Sequence, residues 1–125
     1  MTLSTTVPPR TAVERGAACP AHRVTTERGV ALLLPDGSQA AVFRTGDGAL
    51  YALDNVDPFS GAAVLSRGIV GDRAGEPTVA SPMLKQVYSL RTGVCLDDPE
   101  VRVAVFDVEE RDGVVEVAAR PDGGR

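Results

Sequence analysis

A chain of 125 residues and 13.0 kDa, 43% of it hydrophobic, has the material for one domain with one modest core, and is not a disordered segment. With 13 basic against 17 acidic side chains, a net charge of −4 and Lys85 as its sole lysine, it lacks the cationic footprint of a nucleic-acid binder. Aromatic residues make up only 4% and tryptophan is absent, so Val, Leu, Ile and Ala must fill the interior, a composition that favours strands.

Residues 1–16, MTLSTTVPPRTAVERG, show no hydrophobic period and are expected to form a flexible arm. The stretch lacks a charged segment followed by an apolar one, and no apolar run in the chain approaches the length of a membrane span. The expected setting is therefore cytoplasmic, with Cys19 and Cys95 as reduced thiols. Ala17-Ala18-Cys19-Pro20 is the candidate first strand of a domain over 17–119, and RPDGGR at 120–125 is a flexible tail.

VALLL (30–34), the turn Pro35-Asp36-Gly37, AAVFR (40–44), the turn Thr45-Gly46-Asp47-Gly48 and ALYAL (49–53) then make a meander of three short strands. Glycine supplies the positive φ that such tight hairpins demand. NVDPFSGAAVLSRG (55–68) follows, a loop with room for a single helical turn. Strand-like GIV (68–70) and TVA (78–80) flank a polar excursion, GDRAGEP (71–77). A second loop from Ser81 leads into KQVYSL (85–90), the turn Arg91-Thr92-Gly93 and VCL (94–96). VRVAVFDVEE (101–110) and VVEVAA (114–119) close the domain around Arg111-Asp112-Gly113, the strongest hairpin signal present. Many short strands with turns at regular spacing predict an all-β fold, an antiparallel sandwich or partly open barrel.

A meander, a loop of the form x-Pro-x-x-Gly running into LSRG, a second loop with proline in second position, and a hairpin LRTGVCLDDP together resemble a Rieske domain. In that family two loops grip a [2Fe–2S] cluster, the first through Cys-Pro-His-x-Gly and the second through Cys-Pro-x-His. Laid on this chain, the first motif puts Asp57 at the cysteine and Phe59 at the histidine, with Pro58 and Gly61 kept. The second puts Ser81 at the cysteine and Leu84 at the histidine, with Pro82 kept. All four ligand positions are vacant of donors suited to a cluster, since Phe59 and Leu84 have no lone pairs and Asp57 is a hard ligand.

Within this group, NVDPFSGAAVLSRGIVGDRAGEP and VASPMLKQVYSLRTGVCLDDPEV resemble the small subunit of assimilatory NAD(P)H-dependent nitrite reductase, as does VALLLPDGSQAAVFR. The resemblance spans about residues 28–118 and implies a Rieske-like subunit without cofactor, metal or catalytic residue of its own. It further implies a partner, the large subunit carrying FAD, an iron–sulfur cluster and siroheme, in a cytoplasmic enzyme reducing nitrite to ammonium. The rival readings are a Rieske-type electron-transfer ferredoxin and a free-standing interaction module.

Phe59 and Leu84 are expected to plug the volume a cluster would take, each contributing about 1.5–3 kcal/mol on burial. Asp57 and Ser81 are expected to bond backbone N–H groups of their own turns. Cys19-Pro20-Ala21-His22 spells the second half-motif, but no Cys-x-His partner exists and His22 is the only histidine. Cys95 is expected in the core, and the acidic knots Asp97, Asp98, Glu100 and Glu109, Glu110 on solvated faces. The excursion 71–77, with Asp72 and Arg73, and the loop tips at Pro58 and Pro82 form the candidate partner surface.

Overall fold

A computed structural model describes residues 16–119 except Leu84, so the expected arm (but for Gly16) and the tail lie outside the described residues. Among the described residues there are nine strands: β1 (Gly16–Pro20), β2 (Gly29–Leu33), β3 (Gln39–Arg44), β4 (Leu50–Asp54), β5 (Ile69–Arg73), β6 (Glu76–Ala80), β7 (Val87–Ser89), β8 (Val105–Arg111) and β9 (Val114–Ala119). Short 3-10 turns at Ala21–Arg23 and Leu65–Arg67 are the helical elements, the second being the single turn that AAVLSRG suggested.

The strands form an antiparallel six-stranded sheet, β1-β9-β8-β4-β3-β2, and a three-stranded sheet, β5-β6-β7. The two edges of the larger sheet, β1 and β2, approach one another, which makes it a nearly closed barrel. The all-β class and the sandwich or partly open barrel architecture are those the turn spacing predicts. Pro20 stands on the edge strand β1, where its missing N–H costs no ladder bond.

β3 explains why its sequence does not alternate. Ala41 and Phe43 face a core shared with the small sheet, among Leu53, Leu65, Val79, Tyr88, Leu90, Cys95, Val103 and Val105. Ala40 and Val42 face a second cluster inside the barrel, with Val24, Leu34, Ala52, Phe106, Val115 and Val117. A strand buried on both sides needs a continuous apolar run. Cys95 is buried in the first core as expected, although VCL (94–96) forms no strand and makes only isolated bridges, Cys95 to Tyr88 and Val94 to Arg102.

Two parts of the chain depart from the sequence reading. The excursion 71–77 is no loop: β5 and β6 continue through it, pairing Asp72 with Pro77 and Arg73 with Glu76. Ala74 and Gly75 take φ of 53° and 89°, the two positive values of a tight type I′ hairpin. The strands were hidden because β5 is an edge with no fully buried side chain, so nothing forces apolar alternation there. Pro77, which argues against a strand, precedes the point at which β7 joins β6 at Thr78.

The run 101–110 is likewise shared between two partners. Val101 O and the Val103 N–H bond Cys95 and Gly93, and from Ala104, whose carbonyl accepts from the Asp54 N–H, the chain passes into β8 of the main sheet. The Asp112-Gly113 hairpin between β8 and β9 forms where it was read, with φ of 55° and 80°.

Candidate functional site

Two loops lie side by side at one end of this frame, 55–64 after β4 and 81–86 after β6. The first is folded on itself: the Asp57 N–H donates to Ala62 O at 2.8 Å and the Gly61 N–H to Asp57 O at 2.7 Å. Its base is held by buried Asn55, whose Nδ2 donates to Gln39 Oε1 at 3.0 Å and to Ala63 O at 3.3 Å. Asn55 Oδ1 accepts from the Ser66 N–H at 2.6 Å, fixing the 3-10 turn that follows. In the second loop the Ser81 N–H donates to Gln86 O at 2.8 Å and the Lys85 N–H to Ser81 O at 3.0 Å.

What joins the loops is a carboxylate. Asp57 is fully buried, and Ser81, also buried, donates its hydroxyl to Asp57 Oδ2 at 2.6 Å. Tyr88, rising from β7 inside the core, donates its hydroxyl to Asp57 Oδ1 at 3.0 Å. The Phe59 N–H donates to the same oxygen at 3.0 Å, and Ser81 Oγ accepts from the Met83 N–H at 3.2 Å. A buried charge is tolerable only when hydrogen-bonded this fully.

The electrostatics follow from that geometry. Burial pushes the Asp57 carboxyl up, but donation from Ser81, the Phe59 backbone, Tyr88 and Ser60 outweighs it and holds the group below the usual carboxylate range. Burial first, then the bond to Asp57 and its charge, push the Tyr88 phenol well above its ordinary value, so it stays a donor.

These residues do not fit the [2Fe–2S] cluster that the Rieske pattern implies. A cluster takes thiolate sulfur and imidazole nitrogen. Here both Asp57 oxygens are engaged by donors, the Ser81 hydroxyl spends its proton on Asp57, and Phe59 offers no lone pair. The direct 2.6 Å contact between Asp57 and Ser81 leaves no gap between those two positions for a metal core. Among the described residues no group of three or more His, Cys, Asp or Glu is placed to hold a metal ion.

For Phe59 the expected apolar plug is corrected. Phe59 is 39% exposed while its N–H donates to Asp57, and the Asp57–Ser81 contact occupies the seam between the loops. Leu84 lies outside the described residues. Asp57 and Ser81 do bond the backbone of their own turns, through Phe59 and Met83, and in addition bond each other.

Pro58 and Pro82 are exposed at the two tips, which the Asp57–Ser81 bond brings together. Asp72 and Arg73 are not brought there. They sit at the far end of the β5–β6 hairpin from Ala80, where Asp72 accepts from the Gly75 N–H and Arg73 faces Asp97 at 3.6 Å. Cys19 is half-buried in β1, where burial raises its thiol pKa against the pull of Arg23, and His22 is exposed in the turn beyond. Tyr88 and Asn55 were missed as site residues. The available signal was Asp57 itself, since an acid tucked between a strand and a proline must find donors elsewhere in the fold.

Comparison with known proteins agrees with this fold. The family model for the Rieske-like [2Fe-2S] domain matches residues 16–118. The chain is 38% identical over 100 residues to the nitrite reductase (NADH) small subunit of Escherichia coli, covering 79% of this chain and 92% of that one. A Mycobacterium tuberculosis structure assigned as an NADH-dependent nitrite reductase small subunit is 52% identical, with a TM-score of 0.80 over 83% of this chain and 93% of that one. A nitrite reductase [NAD(P)H] large subunit of Klebsiella oxytoca is 43% identical over 99 residues, which is 79% of this chain but 10% of that polypeptide. Fold, loop arrangement and sequence likeness converge, and the chain belongs to the nitrite reductase small-subunit family of Rieske-like domains.

Proposed function

We propose that this chain is a cluster-free accessory subunit of an NAD(P)H nitrite reductase of nitrate assimilation, working in the cytoplasm bound to a large subunit. The flavin, iron–sulfur and siroheme chemistry belongs to that partner, and this chain adds no catalytic group. The observation that carries the reading is the Asp57–Ser81–Tyr88 junction: a carboxylate bridge stands where a cluster would need thiolates and imidazoles. The Klebsiella protein supports the pairing, because there a segment similar to this chain is part of a large subunit's own polypeptide.

Without a cluster the domain has no redox centre to pass electrons, which weighs against the ferredoxin reading. Purified from iron-replete cells, the chain is expected to be colourless, with iron and acid-labile sulfide near zero. It is expected to co-elute with the large subunit and to change the rate of nitrite-dependent NAD(P)H oxidation. Stoichiometric iron and sulfide, or a large subunit whose elution and turnover ignore this chain, overturns the proposal.

A further inference from the structure

We infer that the joined loop tips form a preshaped apolar docking face for the large subunit, and that the buried Asp57 bridge is what shapes it. The inference rests on the accessory-subunit reading and assigns it a surface. Val56, Phe59 and Met83 are 38%, 39% and 52% exposed, and Pro58 and Pro82 stand exposed beside them. Large apolar side chains gathered at one place on a small domain mark an interaction site, whereas isolated ones do not. The gathering follows from covalent structure: Pro58 and Pro82 each directly follow a residue of the Asp57–Ser81 hydrogen bond.

Charge indicates what kind of surface meets this face. The only charged side chains in 55–68 and 81–86 are Asp57, Arg67 and Lys85, and Asp57 is buried under its donors. What the region shows to solvent is therefore two cations, Arg67 and Lys85, on a chain of net charge −4. Arg67 lies between the bases of the loops, since Ser66 bonds Asn55 while Gly68 abuts Ala80. An apolar centre with a cationic margin fits a partner patch that is apolar with carboxylates at its margin. The large subunit is the occupant assigned here, because a domain like this one is carried within the Klebsiella large subunit.

Pre-shaping matters because ordering two loops at the moment of binding costs affinity. With the tips tied at Asp57, the face is presented in one arrangement before the partner arrives. Asp57 is thus a positioning residue, out of reach of any partner.

The test uses the full-length chain and the large subunit, with affinity measured by calorimetry at two salt concentrations. Phe59→Ser with Met83→Ser is expected to keep the melting temperature and circular dichroism of the parent while weakening the complex on the order of tenfold or more. Arg67→Glu with Lys85→Glu is expected to weaken it at low salt and to flatten its salt dependence. Unchanged affinity in the folded Phe59/Met83 variant, with the parent binding well, overturns the docking face and leaves the accessory-subunit reading intact. A parent that does not bind at all overturns both. Light scattering that shows the parent alone as a dimer, and that variant as a monomer, makes a second copy the occupant and overturns the assignment.

Discussion

Replacing Asp57 with alanine is expected to lower the unfolding free energy by about 3 kcal/mol, among the larger effects a single loop residue produces. Four donors lose their acceptor: the hydroxyls of Ser81, Tyr88 and Ser60 and the Phe59 N–H. Tyr88 is fully buried and cannot turn to water, so its hydroxyl is left unsatisfied inside the core. Tyr88→Phe removes one donor and leaves Oδ1 with the Phe59 N–H, so a smaller loss of about 1 kcal/mol is expected. Asp57→Asn keeps the shape but removes the charge and turns an NH₂ toward a donor, placing it between the two.

The same bridge sets a pH dependence whose sign is fixed. The folded carboxyl is held below the range of the unfolded one, so its contribution is complete above about pH 5, where the unfolded chain is ionised. As pH falls further the unfolded state takes up the proton first, and the contribution is lost progressively down through the folded value. The gap between parent and Asp57→Asn, measured as urea midpoints, is therefore expected to be constant from neutrality to about pH 5 and to close below about pH 4. Asp36 and Asp47 are also held low by turn hydroxyls and N–H groups, but both variants share them and they cancel in the difference. A gap that widens with acid, or none at neutrality, removes Asp57 from its place as the joint between the loops.

The parts of this fold readable from sequence are those where local chemistry admits one answer. Asp112-Gly113 between valine-rich runs can hardly be anything but a hairpin, and AAVF without alternation is a strand buried on both sides. Only the start of β5 was readable, as GIV; its outer half, 71–73, was not, because an exposed edge strand that pairs with β6 alone carries no hydrophobic pattern. The loop pair was legible as a pair of vacant ligand positions, through Pro58, Gly61 and Pro82. What fills the seam was not. The sequence favours Phe59 by hydrophobicity, yet Asp57 and Ser81 meet directly in the seam and Phe59 stays 39% exposed. Tyr88 is 31 residues from Asp57, and no local rule links the two.

Gly68 carries the second large effect, and for a steric reason rather than a conformational one. Its φ of −73° and ψ of 174° are extended backbone open to any residue. The space is what is missing: a Cβ there would lie 2.4 Å from Ala80 O, 2.7 Å from Val79 Cγ2 and 3.1 Å from Leu65 O. Two of the three are backbone atoms that cannot rotate aside, so alanine must push β5 away from β6 where Ile69 pairs with Ala80. Ala80 is the residue before Ser81, which means the displacement falls on the loop junction itself. Gly68→Ala is expected to cost about 2–3 kcal/mol. Combined with Ser81→Ala it is expected to cost less than the sum, because both act through one contact. Gly71→Ala, three residues further along the chain, is the control: its Cβ would meet Thr78 Oγ1 at 3.4 Å, ordinary contact, and the loss of glycine's freedom in the unfolded chain favours alanine. Equal destabilisation at the two glycines, or strict additivity of Gly68→Ala with Ser81→Ala, breaks the link between the glycine's close approach and the seam of the two loops.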